Sequence, residues 1–134
     1  MNGISFLLDT NMVIGLLKDT EAAINLAEKS QLDLEKTAVS QITRMELLDY
    51  PKLTAEDEQV IHAFLNECRV LLLDESIKTE ATRLRRSGAF KLPDAIVAAT
   101  AITHKLHLLT LDKGMVQGLQ RLGYDAVVQK GAGL

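Results

Sequence analysis

Short apolar runs alternate along the whole chain with segments of helical period. Ile4, Phe6, Leu7 and Leu8 form the first run and predict a buried strand over residues 4–8. Helical spacing follows over residues 10–18, and Asp19 or Thr20 can cap a second helix that runs to about residue 29. Residues 34–39 read as a strand. Ser40 then caps a helix through residue 49, which Pro51 ends. Thr54 caps the next helix, with Asp57 at the capping-box position where Glu or Gln is usual. A strand is expected over 70–73, then a helix capped by Asp74 and ending near Gly88. Pro93 suits the first position of a helix that runs to about residue 104. A strand over 107–111, a helix over 113–122 closed by Gly123, and a last short strand over 126–128 complete the pattern.

Strands that alternate with helices and are apolar throughout predict an α/β fold. The expected architecture is a three-layer α/β/α sandwich with a central parallel sheet of about four or five strands. The 134 residues fit a single domain, 1–134. Hydrophobic residues make up 47% and charged residues 25%, which excludes a disordered or fibrous class. One cysteine, Cys68, excludes a disulfide scaffold and any cysteine-based metal site. No basic leader and no apolar run of membrane-spanning length is visible, so the expectation is a cytoplasmic protein without a membrane partner.

The net charge of −3 is unevenly spread: residues 19–67 sum to −7 and residues 68–134 to +4. The densest basic stretch holds Lys78, Arg83, Arg85, Arg86 and Lys91 against Glu80 alone. Such a stripe either tracks a nucleic-acid backbone or is a solvated helix face.

Four acids sit where a carboxylate is informative. Asp9 follows the first strand and can be a helix N-cap. Glu46 falls on or beside the apolar face of the helix containing Ile42, Met45, Leu47 and Leu48, where it needs a partner, a cation or a route to water. Asp94 opens a helix that is apolar nearly all round; a first-turn acid also suits the helix dipole. Asp112 follows the strand over 107–111 and can equally begin a turn. Asp9 and Asp112 should lie at carboxyl ends of parallel strands, where ligands bind in such sheets. Glu46 and Asp94 are expected early on the intervening helices. Four carboxylates in one cleft repel unless hard cations neutralise them, and oxygen ligands without Cys or His suit magnesium or manganese. His62, His104 and His107 are expected to be structural or surface residues.

The segments Leu8-Asp9-Thr10-Asn11, Ser40-Gln41-Ile42-Thr43-Arg44-Met45-Glu46-Leu47-Leu48, Leu92-Pro93-Asp94-Ala95-Ile96-Val97-Ala98-Ala99-Thr100-Ala101 and Leu109-Thr110-Leu111-Asp112 resemble, in order and spacing, the PIN-domain ribonucleases. The likeness is to those that serve as VapC-type toxins of bacterial toxin–antitoxin modules. The resemblance implies a PIN-like fold, usually dimeric, and a magnesium- or manganese-dependent endoribonuclease that cleaves RNA phosphodiester bonds. It implies that Asp9, Glu46, Asp94 and Asp112 form an acidic catalytic and metal-binding quartet, with Asp9 and Asp94 at the positions that most often serve as ligands. Thr10, Asn11, Ser40 and Thr110 match polar positions that support the quartet. A cognate antitoxin, whose tail fills a groove near the site, is the implied partner. Many members carry an aromatic residue where this chain has Met115.

Arg83, Arg85, Arg86 and Lys91 are the candidate RNA contacts, Lys91 foremost because it lies three residues before Asp94. Val13, Leu16, Leu17, Ile24 and Leu26 on the early helices offer a surface for a dimer or a partner segment. Two alternatives stand beside this reading. One is a catalytically silent PIN-fold interaction protein. The other is a haloacid-dehalogenase-type phosphatase with Asp9 as nucleophile, which wants an acid where Asn11 stands.

Overall fold

Four short strands pair in parallel in the order β3-β2-β1-β4: β1 Phe6–Leu8, β2 Thr37–Ser40, β3 Arg69–Leu71 and β4 His107–Leu109. The computed structural model describes residues 3–124 and 127–128. At the centre of the sheet Leu7 stands between Ala38 and Leu108, and Leu8 between Val39 and Leu109. Val128 adds a single parallel bridge to Leu108 at the β4 edge. Ala126, the start of the expected last strand, lies outside the described residues.

Alternation of side chains across the sheet divides the core in two. On one face Leu7, Ala38 and Leu108 pack with α5 Glu75–Arg86, α6 Leu92–His104 and α7 Lys113–Arg121. On the other, Leu8, Val39 and Leu109 pack with α1 Thr10–Leu17, α2 Glu21–Ser30, α3 Gln41–Leu48 and α4 Ala55–Glu67. This is the expected three-layer sandwich with a parallel sheet of four strands. Val13 and Leu26 are buried within the second core, so they are not available to the partner surface for which the sequence offered them. No helix of the described residues is long and apolar enough to cross a membrane.

Local hydrogen bonds trim the expected strands. Residues 34–36 form a 3₁₀ turn instead of strand, because the Asp33 side chain accepts from the Glu35 amide at 3.0 Å and the Thr37 hydroxyl donates to the Asp33 carbonyl at 2.7 Å. Leu72 and Leu73 leave the sheet as the Leu73 amide turns to Gln41 Oε1 at 2.7 Å. Thr20, not Asp19, caps α2, and Asp19 takes a left-handed conformation with φ of 54°. Helix α6 begins at Leu92, which moves Pro93 to the second position, still free of the need for an amide donor.

Gly15 sets how closely α1 and α2 meet. A Cβ there would lie 2.7 Å from the Ala23 Cβ and 2.9 Å from Thr20 Oγ1. Gly15→Ala is therefore expected to destabilise the chain by about 1–3 kcal/mol through overpacking, despite alanine's better helix propensity. A thermal melt checks it: a variant that melts at or above wild type means that the two helices separate without cost.

Candidate active site

The chain runs outward from β1 to β2 to β3 and then returns to place β4 on the other side of β1. The carboxyl ends of β1 and β4 thus flank the point where strand order reverses, the usual ligand crevice of a parallel α/β sheet. Asp9 leaves β1 and Asp112 follows β4 by three residues at this crevice.

Asp9 is buried, and it is the N-cap of α1, with Oδ1 accepting from the Met12 amide at 2.8 Å. Its Oδ2 accepts from the Thr110 hydroxyl, whose oxygen in turn accepts from the Asp112 amide at 3.0 Å. One threonine thereby ties an acid of β1 to an acid beyond β4. Asp112 caps α7, with Oδ1 accepting from the Gly114 amide at 2.8 Å and the Met115 amide at 3.3 Å. The capping alternatives for both acids are real, and each carboxylate retains lone pairs beyond those its caps use.

Glu46 arrives from α3. It lies in the second half of that helix, not early on it as expected, and the face it shares is not that of Met45, which is 55% exposed. Thr43 and Leu47 form the buried face and Glu46 is half-buried at its border. Its Oε1 accepts from the Thr10 hydroxyl at 2.7 Å. Asp94 is half-buried in the first turn of α6, whose Ala95, Val97, Ala98, Ala99 and Ala101 are buried.

The four acids act on one another. Burial pushes the Asp9 carboxyl above the ordinary range, hydrogen bonds from Thr110 and Met12 offset part of the rise, and the charges of Asp112 and Asp94 add to it. Burial likewise raises Asp94, with the charges of Asp112 and Glu46 adding and Lys91 opposing. Asp112 and Glu46 thus act on Asp94, and Asp94 in turn acts on Asp9. Among the described residues no group of three or more His, Cys, Asp or Glu side chains is drawn tightly enough to hold a metal ion. The donor set is nevertheless carboxylate oxygen alone, which fits a hard divalent cation in kind. The histidines lie elsewhere: His62 pairs with Glu58 at 3.8 Å on α4, while His104 ends α6 and His107 begins β4 at the opposite end of the sheet.

The supporting polar residues separate into two groups. Thr10 and Thr110 contact the acids directly. Ser40 is buried and caps α3, accepting from the Ile42 amide at 3.2 Å, and Asn11 is exposed on α1. Thr43, which the sequence did not single out, is fully buried and lies 3.0 Å from Thr10 Oγ1. Its only sequence signal was a hydroxyl on the inward side of α3, three residues before Glu46. Met115, at the position where an aromatic is common, is buried in the core between α7 and the sheet.

The basic candidates are all exposed but not equivalent. Arg83 donates to Glu80 and to the Tyr124 hydroxyl, and its guanidinium carbon lies 5.6 Å from the Tyr124 ring centroid. Arg85 donates to the Phe90 carbonyl at 3.4 Å. Arg86 projects from the last turn of α5, and Lys91 stands beside Asp94 at the entrance of α6.

Comparison with known proteins supports the fold. The family profile described as PIN domain matches residues 6–118. A toxin–antitoxin complex from Klebsiella pneumoniae has a chain that is 30% identical, with a TM-score of 0.74 over 93% of this chain and 97% of that one. A chain of FitAcB from Neisseria gonorrhoeae is 26% identical, with a TM-score of 0.66 over 86% and 93%. DNA-bound VapBC from Salmonella typhimurium, at 22% identity and a TM-score of 0.72 over 90% and 93%, shares the fold. No curated protein sequence matches the chain at a significant level. The dehalogenase alternative falls with these matches, and the chain belongs to the PIN domain family.

Proposed function

We propose that this chain is a magnesium- or manganese-dependent endoribonuclease, the toxin of a type II toxin–antitoxin pair. What supports the reading is the charge influence that Asp9, Glu46, Asp94 and Asp112, carboxylates from four separate segments, exert on one another near the carboxyl ends of β1 and β4. Asp9 and Asp94 would be the principal metal ligands, with Glu46 and Asp112 completing the acidic site. The bound cation would lower the pKa of a water and oppose the charge that builds on phosphate oxygens during hydrolysis.

The chain's own residues do the positioning. Thr110 and the Met12 amide fix both oxygens of Asp9. Thr10 occupies Glu46 Oε1, which leaves Oε2 to meet the cation or to take a proton from the attacking water. Attack of such a water on phosphorus would form one P–O bond and break one P–O ester bond of the RNA, the leaving ribose oxygen taking its proton from solvent. Arg86 and Lys91, which have no internal hydrogen-bond acceptor among the described residues, are the better candidates to hold the backbone, while Arg83 and Arg85 first have to leave Glu80, Tyr124 and the Phe90 carbonyl.

The antitoxin partner is proposed on the likeness to chains of toxin–antitoxin complexes, and a homodimer and a cytoplasmic location on the same family reading. Leu16, Leu17 and Ile24, which are only half-buried, remain candidates for the partner surface, and Met45, Leu72 and Leu92, each more than half exposed, join them.

Cleavage of total RNA with magnesium, with manganese and in excess chelator tests the activity. Chelation is expected to abolish cleavage and manganese to restore it. Full cleavage in excess chelator would sink the metal reading, and no cleavage with either metal returns the chain to a silent interaction protein. Arg86→Ala and Lys91→Ala are each expected to weaken RNA binding several-fold and to lower the slope of log affinity against log salt by about one. Unchanged slopes mean that neither side chain contacts phosphate.

A further inference from the structure

Thr10 Oγ1 lies 2.7 Å from Glu46 Oε1 and 3.0 Å from Thr43 Oγ1. A threonine hydroxyl carries a single proton, and an ionised carboxylate can only accept. The Thr10 proton therefore belongs to Glu46, and the contact with Thr43 closes only if Thr43 donates. Thr43 has no access to water, and Thr10 is the partner that satisfies its hydroxyl.

We propose that Thr43 is a positioning residue for Glu46, acting through Thr10 as the buried end of a two-hydroxyl relay. Thr43 is anchored in α3, three residues before Glu46, and Thr10 opens α1 directly after Asp9. The relay pins the start of α1 to α3 at the height of the acids. It polarises the Thr10 hydroxyl toward Glu46 and takes from Thr10 the freedom to rotate away. The sequence SxxTxxE of residues 40–46 then divides its work: Ser40 caps the helix, Thr43 orients, and Glu46 faces the crevice.

This inference rests on the metal site proposed above, and the test separates the two. Manganese binding to the full chain is measured by electron paramagnetic resonance in wild type, Thr43→Val, Thr43→Ser, Thr10→Val and the double valine variant. Thr43→Val is expected to weaken manganese binding about tenfold, the lower end for residues that orient ligands. Thr43→Ser is expected to bind as wild type. In the Thr10→Val background Thr43→Val should add nothing, because the relay is already cut. Additive losses, or a Thr43→Val variant that binds manganese like wild type, overturn the relay alone. A wild-type chain that takes up no manganese overturns the metal site and the relay with it. Should Thr43→Val not fold, proton exchange in wild type decides: the Thr43 hydroxyl proton should exchange with water far more slowly than that of an exposed threonine, and exchange at the exposed rate overturns the assignment.

Discussion

Asp94→Asn and Asp9→Asn are each expected to lower RNA cleavage roughly a hundred- to a thousandfold while the chain stays folded, the size of effect seen when one charge-stabilising group leaves an active site. Asparagine keeps the size of aspartate and loses the charge that holds a cation. The two variants differ in what else they disturb. Asp94 makes none of the side-chain hydrogen bonds that fix Asp9, and its neighbours in the first turn of α6 are apolar, so its exchange is nearly pure loss of charge. Asp9 is also the α1 cap, a task asparagine performs equally well through the bond to the Met12 amide. Its other oxygen, however, accepts from Thr110, which already takes the Asp112 amide. An amide group there forces Thr110 to turn its proton elsewhere, so Asp9→Asn should cost some stability as well as activity. Initial cleavage rates at saturating magnesium, with circular dichroism on the same samples, check both. Two variants that cleave at the wild-type rate would leave these acids as helix caps only.

Much of the fold was legible because burial and period agree. The apolar runs of β1, β2, β3 and β4 mark strands covered on both faces, and Ser40, Thr54 and Asp74 cap the helices the sequence assigned to them. Boundaries were less legible because side-chain hydrogen bonds decide them from a distance. Gln41, thirty-two positions away, draws Leu73 out of the sheet, and no window of sequence around residue 73 contains that information.

The candidate site shows the same division. The four acids stood out because a carboxylate at a strand end or on an apolar helix is costly without a partner. Of their supporting contacts, Thr10 and Thr110 were reached only through the family resemblance, and Thr43 was missed because it looks in sequence like any β-branched residue of a half-buried face. The three arginines of α5 were indistinguishable by charge, and only packing shows that Tyr124 and the Phe90 carbonyl already occupy two of them. Glu46 does border the buried face of α3 as expected, but Met45, apolar in sequence, is exposed, because Thr43 and Leu47 rather than Met45 turn inward.

Metal and pH should reshape stability in a way that tests the acidic cluster without any RNA. The Asp94 carboxyl is raised above its ordinary value of 3.8 by burial, then by the charges of Asp112 and Glu46. Below that value the group is protonated whether the chain is folded or not, and its full contribution is present. As pH climbs past 3.8 the unfolded chain ionises first, so stability falls until the folded group has ionised too and then levels off. At neutral pH in chelator the folded state therefore carries a penalty that Asp94→Asn removes, and the variant should melt higher than wild type. Its loss of stability with rising pH should be correspondingly shallower. Magnesium reverses the ranking. At a hundred times its dissociation constant it should stabilise wild type by about 2.7 kcal/mol. For a chain of this size that is about 8 °C in melting temperature. The variant, with one ligand lost, should gain far less. The melting curves of the two proteins are thus expected to cross between chelator and magnesium. A variant that melts below wild type in chelator, with equal gains from magnesium in both, means that Asp94 belongs to no shared metal site.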